Sequence, residues 1–164
     1  MRRVGLAAKR HTEMIQTLMA IADSVHVSEV FCPPRCTAQC HRFGLSAGLA
    51  MDLRSGWNFD KAEDRSRARK HVEEEKPYLL VGSPECKAFS MMHHMNKHLP
   101  DYAEKLAQGL AHLKFVCELY VHQHSQGRIF LHEHPWGATS WWSKCVRRVL
   151  ALPGVDVAYM DQCM

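Results

Sequence analysis

Tyr78-Leu79-Leu80-Val81 is an unbroken apolar run, stopped at once by Gly82-Ser83-Pro84, and it lies between two long segments of helical period. Such a run is the strand expected where helices cover both faces of a sheet, because neither side of it then meets water. The same alternation recurs along the chain. Val25 to Cys32 reads as a strand closed by Pro33-Pro34, Thr37 to Phe43 as a helix stopped by Gly44, and Leu49 to Leu53 as a second strand. Ala62 to Glu75 is a charged amphipathic helix that ends before Pro77. From Asp101, a long helix places Tyr102, Leu106, Leu110, Leu113, Cys117 and Tyr120 on one stripe, and the strand Arg128 to Leu131 follows it. A helix from about Trp141 to Leu150 and a strand from Val155 to Met160 continue the pattern. Ahead of all of them, Ala8 to Ala22 carries Met14, Ile15, Leu18, Met19 and Ile21 at helical spacing, which predicts a leading helix within residues 1–24. Strands alternating with helices of these lengths predict an α/β fold: three layers around a mainly parallel sheet, with its sites at the carboxyl ends of the strands.

Composition narrows the setting. At 164 residues, with 46% hydrophobic and 23% charged residues, the chain has the make-up of one folded domain rather than of a disordered or fibrous protein. No apolar run approaches the roughly 20 residues of a membrane span, and the opening Met1-Arg2-Arg3-Val4-Gly5-Leu6-Ala7-Ala8 is too short for a secretion signal. The expected setting is therefore inside a cell, with no membrane partner. Seven cysteines, an odd number, predict reduced thiols rather than a disulfide framework. A net charge of +4 suits an anionic partner such as nucleic acid, although many proteins with none carry as much.

The chemistry concentrates at strand ends. Gly82-Ser83-Pro84-Glu85-Cys86-Lys87-Ala88-Phe89-Ser90 follows the apolar strand directly, which places a cysteine on a sharp turn at the functional rim. The alternative for any loop cysteine is a small buried residue without chemistry. The next strand ends in Phe130-Leu131-His132-Glu133-His134-Pro135, where Glu133 is either the partner of Cys86 or a plain strand-end charge. The nine-residue cysteine segment resembles the nucleophile loop of the cytosine carbon-5 methyltransferases, matching it at Gly82, Pro84, Cys86, Phe89 and Ser90. Glu85 stands where that family usually has proline. Glu133 matches the family's glutamate, and His134 replaces the asparagine that usually follows it.

The resemblance implies a Rossmann-like methyltransferase fold that uses S-adenosylmethionine on nucleic acid, with DNA expected ahead of RNA. In the mechanism it implies, the Cys86 thiolate adds to carbon 6 of cytosine while Glu133 stabilises ring nitrogen 3, so that carbon 5 becomes nucleophilic. A base within a duplex must first be flipped out. Ser90 and His134 would contact the substrate. For the cofactor it implies Glu29 and Phe31 in the first motif, Asp52 on ribose hydroxyls, Asp60 beside adenine, and Pro84. Pro33-Pro34 replaces the glycines of that motif, fixing backbone angles and removing an amide donor. Weak or absent binding of S-adenosylmethionine is therefore expected.

The likeness runs from Ser28 to Glu133, so residues 25–164 read as a methyltransferase-like core, incomplete at its C-terminal end and without a target-recognition region. Two other functions compete. One is a non-catalytic platform of the same fold that binds nucleic acid or protein, with Trp136, Trp141 and Trp142 as stacking surfaces. The other is a zinc module using Cys32, Cys36, Cys40 and His41, although these residues lack the paired C-x2-C spacing of structural zinc.

Overall fold

The computed structural model describes residues 25–160. Four strands, β1 (Val27–Val30), β2 (Ala47–Met51), β3 (Leu79–Gly82) and β4 (Ile129–His132), form one sheet in the order β2-β1-β3-β4. Every neighbouring pair is parallel. Five α-helices connect and cover them: α1 (Cys36–Gln39), α2 (Ala62–Glu75), α3 (Met91–Met95), α4 (Tyr102–Ser125) and α5 (Lys144–Leu150). This is the expected α/β architecture with an all-parallel sheet; its layers are unequal. Val30, Met51 and Leu80 share a core with Ala68 and Val72 of α2, Leu113, Val116 and Tyr120 of α4, and Val146 and Val149 of α5. On the opposite face a smaller cluster joins Val27 and Val81 to Cys40, the first residue of the 3-10 turn that continues α1.

Helix α2 has the span expected of it. Glu63 and Asp64 lie in its first turn, where the helix dipole favours negative charge, and Lys76 ends it in the left-handed conformation, φ 50°, directly before Pro77. In α4 the buried stripe keeps Leu113, Cys117 and Tyr120 of the expected one and adds Gly109 and Val116, while Leu110 is exposed. The reason is steric. A Cβ at position 109 would lie 2.7 Å from the Ala88 Cβ, so glycine lets the cysteine loop press against this helix.

Other boundaries shift. The segment expected as a helix from Thr37 to Phe43 divides into α1 and a 3-10 turn (Cys40–Phe43) that ends on Gly44 at φ 67°. The second strand is Ala47–Met51 rather than Leu49 to Leu53, because Asp52 caps a separate turn with its side chain. Ser143 caps α5, so the helix begins after Trp141 and Trp142, which lie in a 3-10 turn. The strand expected from Val155 to Met160 does not form. These residues have no ladder partner and run beside β4, where Tyr159 rests edge-on against Trp136 with ring centroids 4.3 Å apart. Val157, Tyr159 and Met160 are exposed, and apolar side chains alone supply no hydrogen-bonding neighbour. The leading helix expected from Ala8 to Ala22 lies outside the described residues.

Candidate functional site

In the strand order 2-1-3-4, the chain leaves β1 toward one edge of the sheet and returns past it to the other, so the crevice at the carboxyl ends of β1 and β3 is the topological switch point. The loops after all four strands meet this rim. Glu133 immediately follows β4, and its backbone N–H donates to the Gly82 carbonyl at the end of β3, 2.9 Å away. Cys86 lies four residues beyond Gly82 on the neighbouring parallel strand. The two residues thus project from the carboxyl ends of adjacent strands. Cys86 itself lines neither of two hollows at this rim. Glu133 lines a groove of about 1040 Å3 that also touches Tyr120, Arg128, His132, Trp136 and Tyr159. Beside Cys86, Glu85 and Lys87 line a smaller hollow of about 420 Å3 against α4.

Cys86 is half-buried, and its carbonyl accepts the Phe89 N–H at 2.9 Å, which closes a 3-10 turn. Phe89 is buried, anchoring the loop beneath the rim as its sequence position suggested. Glu85, the departure from the family pattern, pairs with Lys87 at 3.1 Å, so the charges flanking the thiol largely offset each other. Pro84 is buried. Ser90 is engaged by its own chain: its hydroxyl donates to the Lys87 carbonyl at 2.9 Å and accepts from the His93 N–H at 3.1 Å, capping α3.

His134 is turned inward. It is 8% exposed, stacks on His132 at 5.3 Å with the rings 11° apart, and meets Phe89 and Trp141 edge-on. Although so enclosed by the chain's own rings, it still lines the groove that Glu133 lines. His132 was not among the sequence candidates, yet its Nδ1 lies 3.1 Å from the Tyr120 hydroxyl. Burial, helped by the charge of His134, pushes the His132 imidazole down to about 3. Burial also lowers His134, against the opposing pull of the Glu133 carboxylate and main chain, and it raises the Tyr120 phenol well above its usual value. The signal for this pair was present: in His-Glu-His at a strand end, period two sends both rings to one side. Gly82 is required by the same cluster, since a Cβ there would overlap the Tyr120 hydroxyl.

The cofactor candidates are engaged elsewhere. Glu29 is fully buried, and its carboxylate accepts from the N–H groups of Arg35, Cys36 and Thr37 and from the Thr37 hydroxyl. Burial would raise its pKa, but the Thr37, Cys36 and Cys32 hydrogen bonds prevail and hold it below the ordinary carboxylate range. Phe31 adopts φ 58°, a conformation rare for a bulky residue, and packs on Phe59 at 4.5 Å and His112 at 5.1 Å. Asp52 accepts from the Arg54 N–H at 3.0 Å while Ser55 closes the capping box. Asp60 contacts Gln108 at 2.7 Å and His112 at 2.9 Å on α4. The carboxylates assigned to S-adenosylmethionine therefore organise the chain's own loops, and Pro33-Pro34 supplies no glycine cradle for it. The residues present do not fit that cofactor.

Cys32, Cys36 and Cys40 do not converge either. Cys40 is buried and its thiol donates to the Cys36 carbonyl, while burial and Glu29 push the Cys32 thiol up to about 12. Among the described residues no group of three His, Cys, Asp or Glu side chains is placed to hold a metal ion, and no helix is long and apolar enough to cross a membrane. No protein-family model, curated protein or solved structure matches the chain.

Proposed function

We propose that this chain is a divergent cytosine carbon-5 methyltransferase-like protein that acts on nucleic acid through a cysteine adduct. The observation that carries the reading is the placement of Cys86 and Glu133 after adjacent parallel strands, tied by the Glu133 N–H to Gly82 carbonyl bond. The thiolate of Cys86 forms a bond to carbon 6 of an extruded cytosine, the C5=C6 electrons shift through carbon 4 to ring nitrogen 3, which takes up a proton beside Glu133, and the resulting enamine reverts by expelling the thiolate unless an electrophile reaches carbon 5. No methyl-transfer step is assigned, because the carboxylates expected around the methyl donor are engaged within the chain.

A DNA oligonucleotide containing 5-azacytosine tests the adduct without a methyl donor, since the ring nitrogen at position 5 takes up a proton after the thiolate adds. The expected result is a covalent complex mapped to Cys86 by mass spectrometry and abolished by Cys86→Ser. Capture at another cysteine, or no capture under conditions where the DNA binds, removes Cys86 from the nucleophile role.

The second reading is a non-catalytic platform that binds nucleic acid or protein. It is favoured by the engagement of Glu29 and by the exposed rings of Trp136, Trp142 and Tyr159, which offer stacking surfaces without chemistry. DNA binding that survives Cys86→Ser, with no covalent capture, is its signature.

A further inference from the structure

The groove beside β4, about 1040 Å3 in volume, draws apolar surface from Phe130, Val146 and Val149 and is also lined by Trp136, Trp141 and Tyr159. Mostly apolar walls with a few polar groups are the make-up of a small-molecule site, and the aromatic residues suit a flat ligand. Two of its histidines have unused hydrogen-bonding capacity. His134 is nine-tenths buried, and neither of its ring nitrogens meets a partner in good geometry, although the Glu133 main chain is close. His132 uses Nδ1 on the Tyr120 hydroxyl, and its Nε2 is left over. Folded interiors pair nearly all such atoms, so three of them at one groove call for a partner that the chain does not supply.

The charges at the groove narrow that partner. Arg128 lines it together with Glu133 and Asp156, so an anion would meet two carboxylates and a cation a guanidinium. A ligand without donors or acceptors would leave the imidazole nitrogens as unpaired as before. We propose that the groove binds an uncharged, flat nitrogen heterocycle of the guanine type, with donors along one edge and acceptors along another. In guanine the N1–H and the exocyclic amine lie side by side, as a carboxylate requires, while O6 and N7 accept from the N–H groups of neutral imidazoles. Glu133 takes the donor edge in addition to the contacts it already makes, since a carboxylate accepts about four hydrogen bonds. His132 and His134 take the acceptor edge, and Trp136 and Tyr159 supply the stacking surface. The enclosed nitrogens are reached as Val155–Met160 moves aside: this segment has no ladder partner, and Val157, Tyr159 and Met160 are exposed. Cys86 does not line the groove, so the site is independent of the adduct chemistry proposed above.

The test titrates guanosine into the full chain at neutral pH while the imidazole nitrogens are followed by nitrogen-15 NMR. The resonances of His132 and His134 should shift saturably. 7-Deazaguanosine, which has C–H in place of N7, should bind about 10-fold more weakly, the effect of roughly one hydrogen bond. Indole, which is flat but offers no acceptor, should not displace guanosine. His134→Phe keeps a ring against Phe89 and Trp141 but removes the nitrogens, and should weaken guanosine binding by about 10-fold or more. Trp136→Ala should weaken it as well, and because Trp136 is exposed its removal leaves the core intact. Cys86→Ser should bind guanosine as the unaltered chain does. No saturable shift would mean that the nitrogens meet water or nothing, which overturns the inference. Equal affinity for the 7-deaza analogue, displacement by indole, or unchanged affinity in both groove variants would overturn it too. Loss of binding in Cys86→Ser would move the base to the cysteine loop and likewise refute this site.

Discussion

The Glu29 carboxylate gathers three backbone N–H groups and the Thr37 hydroxyl into one buried cluster, and so holds the Pro33-Pro34 loop and the start of α1. Glu29→Gln keeps the shape but turns an amide donor toward groups that are themselves donors. It should lower stability by about 2–3 kcal/mol, measured as a lower urea midpoint with an unchanged slope. A shift near zero would mean that the loop is held by something else. His132 makes the opposite demand, because its ring is buried neutral. With a folded value of about 3 against about 6.5 in the unfolded chain, the unfolded state binds the extra proton. Stability from this group is fully present above pH 6.5 and is lost as pH falls toward 3, on the order of a few kcal/mol in all. His132→Phe should flatten the dependence of unfolding free energy on pH between 6 and 4 by roughly one proton. Parallel profiles for the two proteins would show that the ring titrates freely. Glu133 and Cys86 were legible in the sequence because strand-end position places them; the buried state of His134 was not, because it depends on Phe89 and Trp141 arriving from two other places in the chain.

Gly109 joins two elements that are distant in sequence, since the Ala88 Cβ of the cysteine loop occupies the space a side chain there would need. Gly109→Ala should cost about 1–3 kcal/mol through overpacking, despite alanine's higher helix propensity. It should also change the rate at which Cys86 is alkylated, followed by peptide mapping. A stabilised protein with unchanged Cys86 labelling would disprove the close packing of loop on helix. The same contact explains why periodicity draws the stripe of α4 through Leu110: it finds an apolar face, but a glycine that admits the Ala88 and Phe89 side chains carries no hydrophobic signal. Helix α2 had no such conflict. Its acidic first turn, its buried Ala68 and Val72, and its stop before Pro77 all act within one segment.

For the whole molecule, the distribution of carboxylates at the rim sets the expected behaviour toward a methyl donor. With Glu29, Asp52 and Asp60 engaged by Thr37, Arg54, Gln108 and their neighbours, and Pro33-Pro34 in place of a glycine turn, calorimetry with S-adenosylmethionine should show no micromolar binding. Micromolar affinity would require these loops to open and would restore the donor to the reaction. From the sequence alone came the α/β class, the four strands of the sheet, the span of α2 and the rim positions of Cys86 and Glu133, because local periodicity, proline and glycine stops, and the end of a strand are properties of contiguous residues. The sequence also suggested a fifth strand at Val155 to Met160, and it could not show the hydrogen bonds that Glu29, Asp52 and Asp60 make within the chain. Only the tertiary structure decided which strand found a hydrogen-bonding neighbour, which acids were taken by backbone donors, and which histidines were buried, because each depends on groups that meet only after the chain has closed on itself.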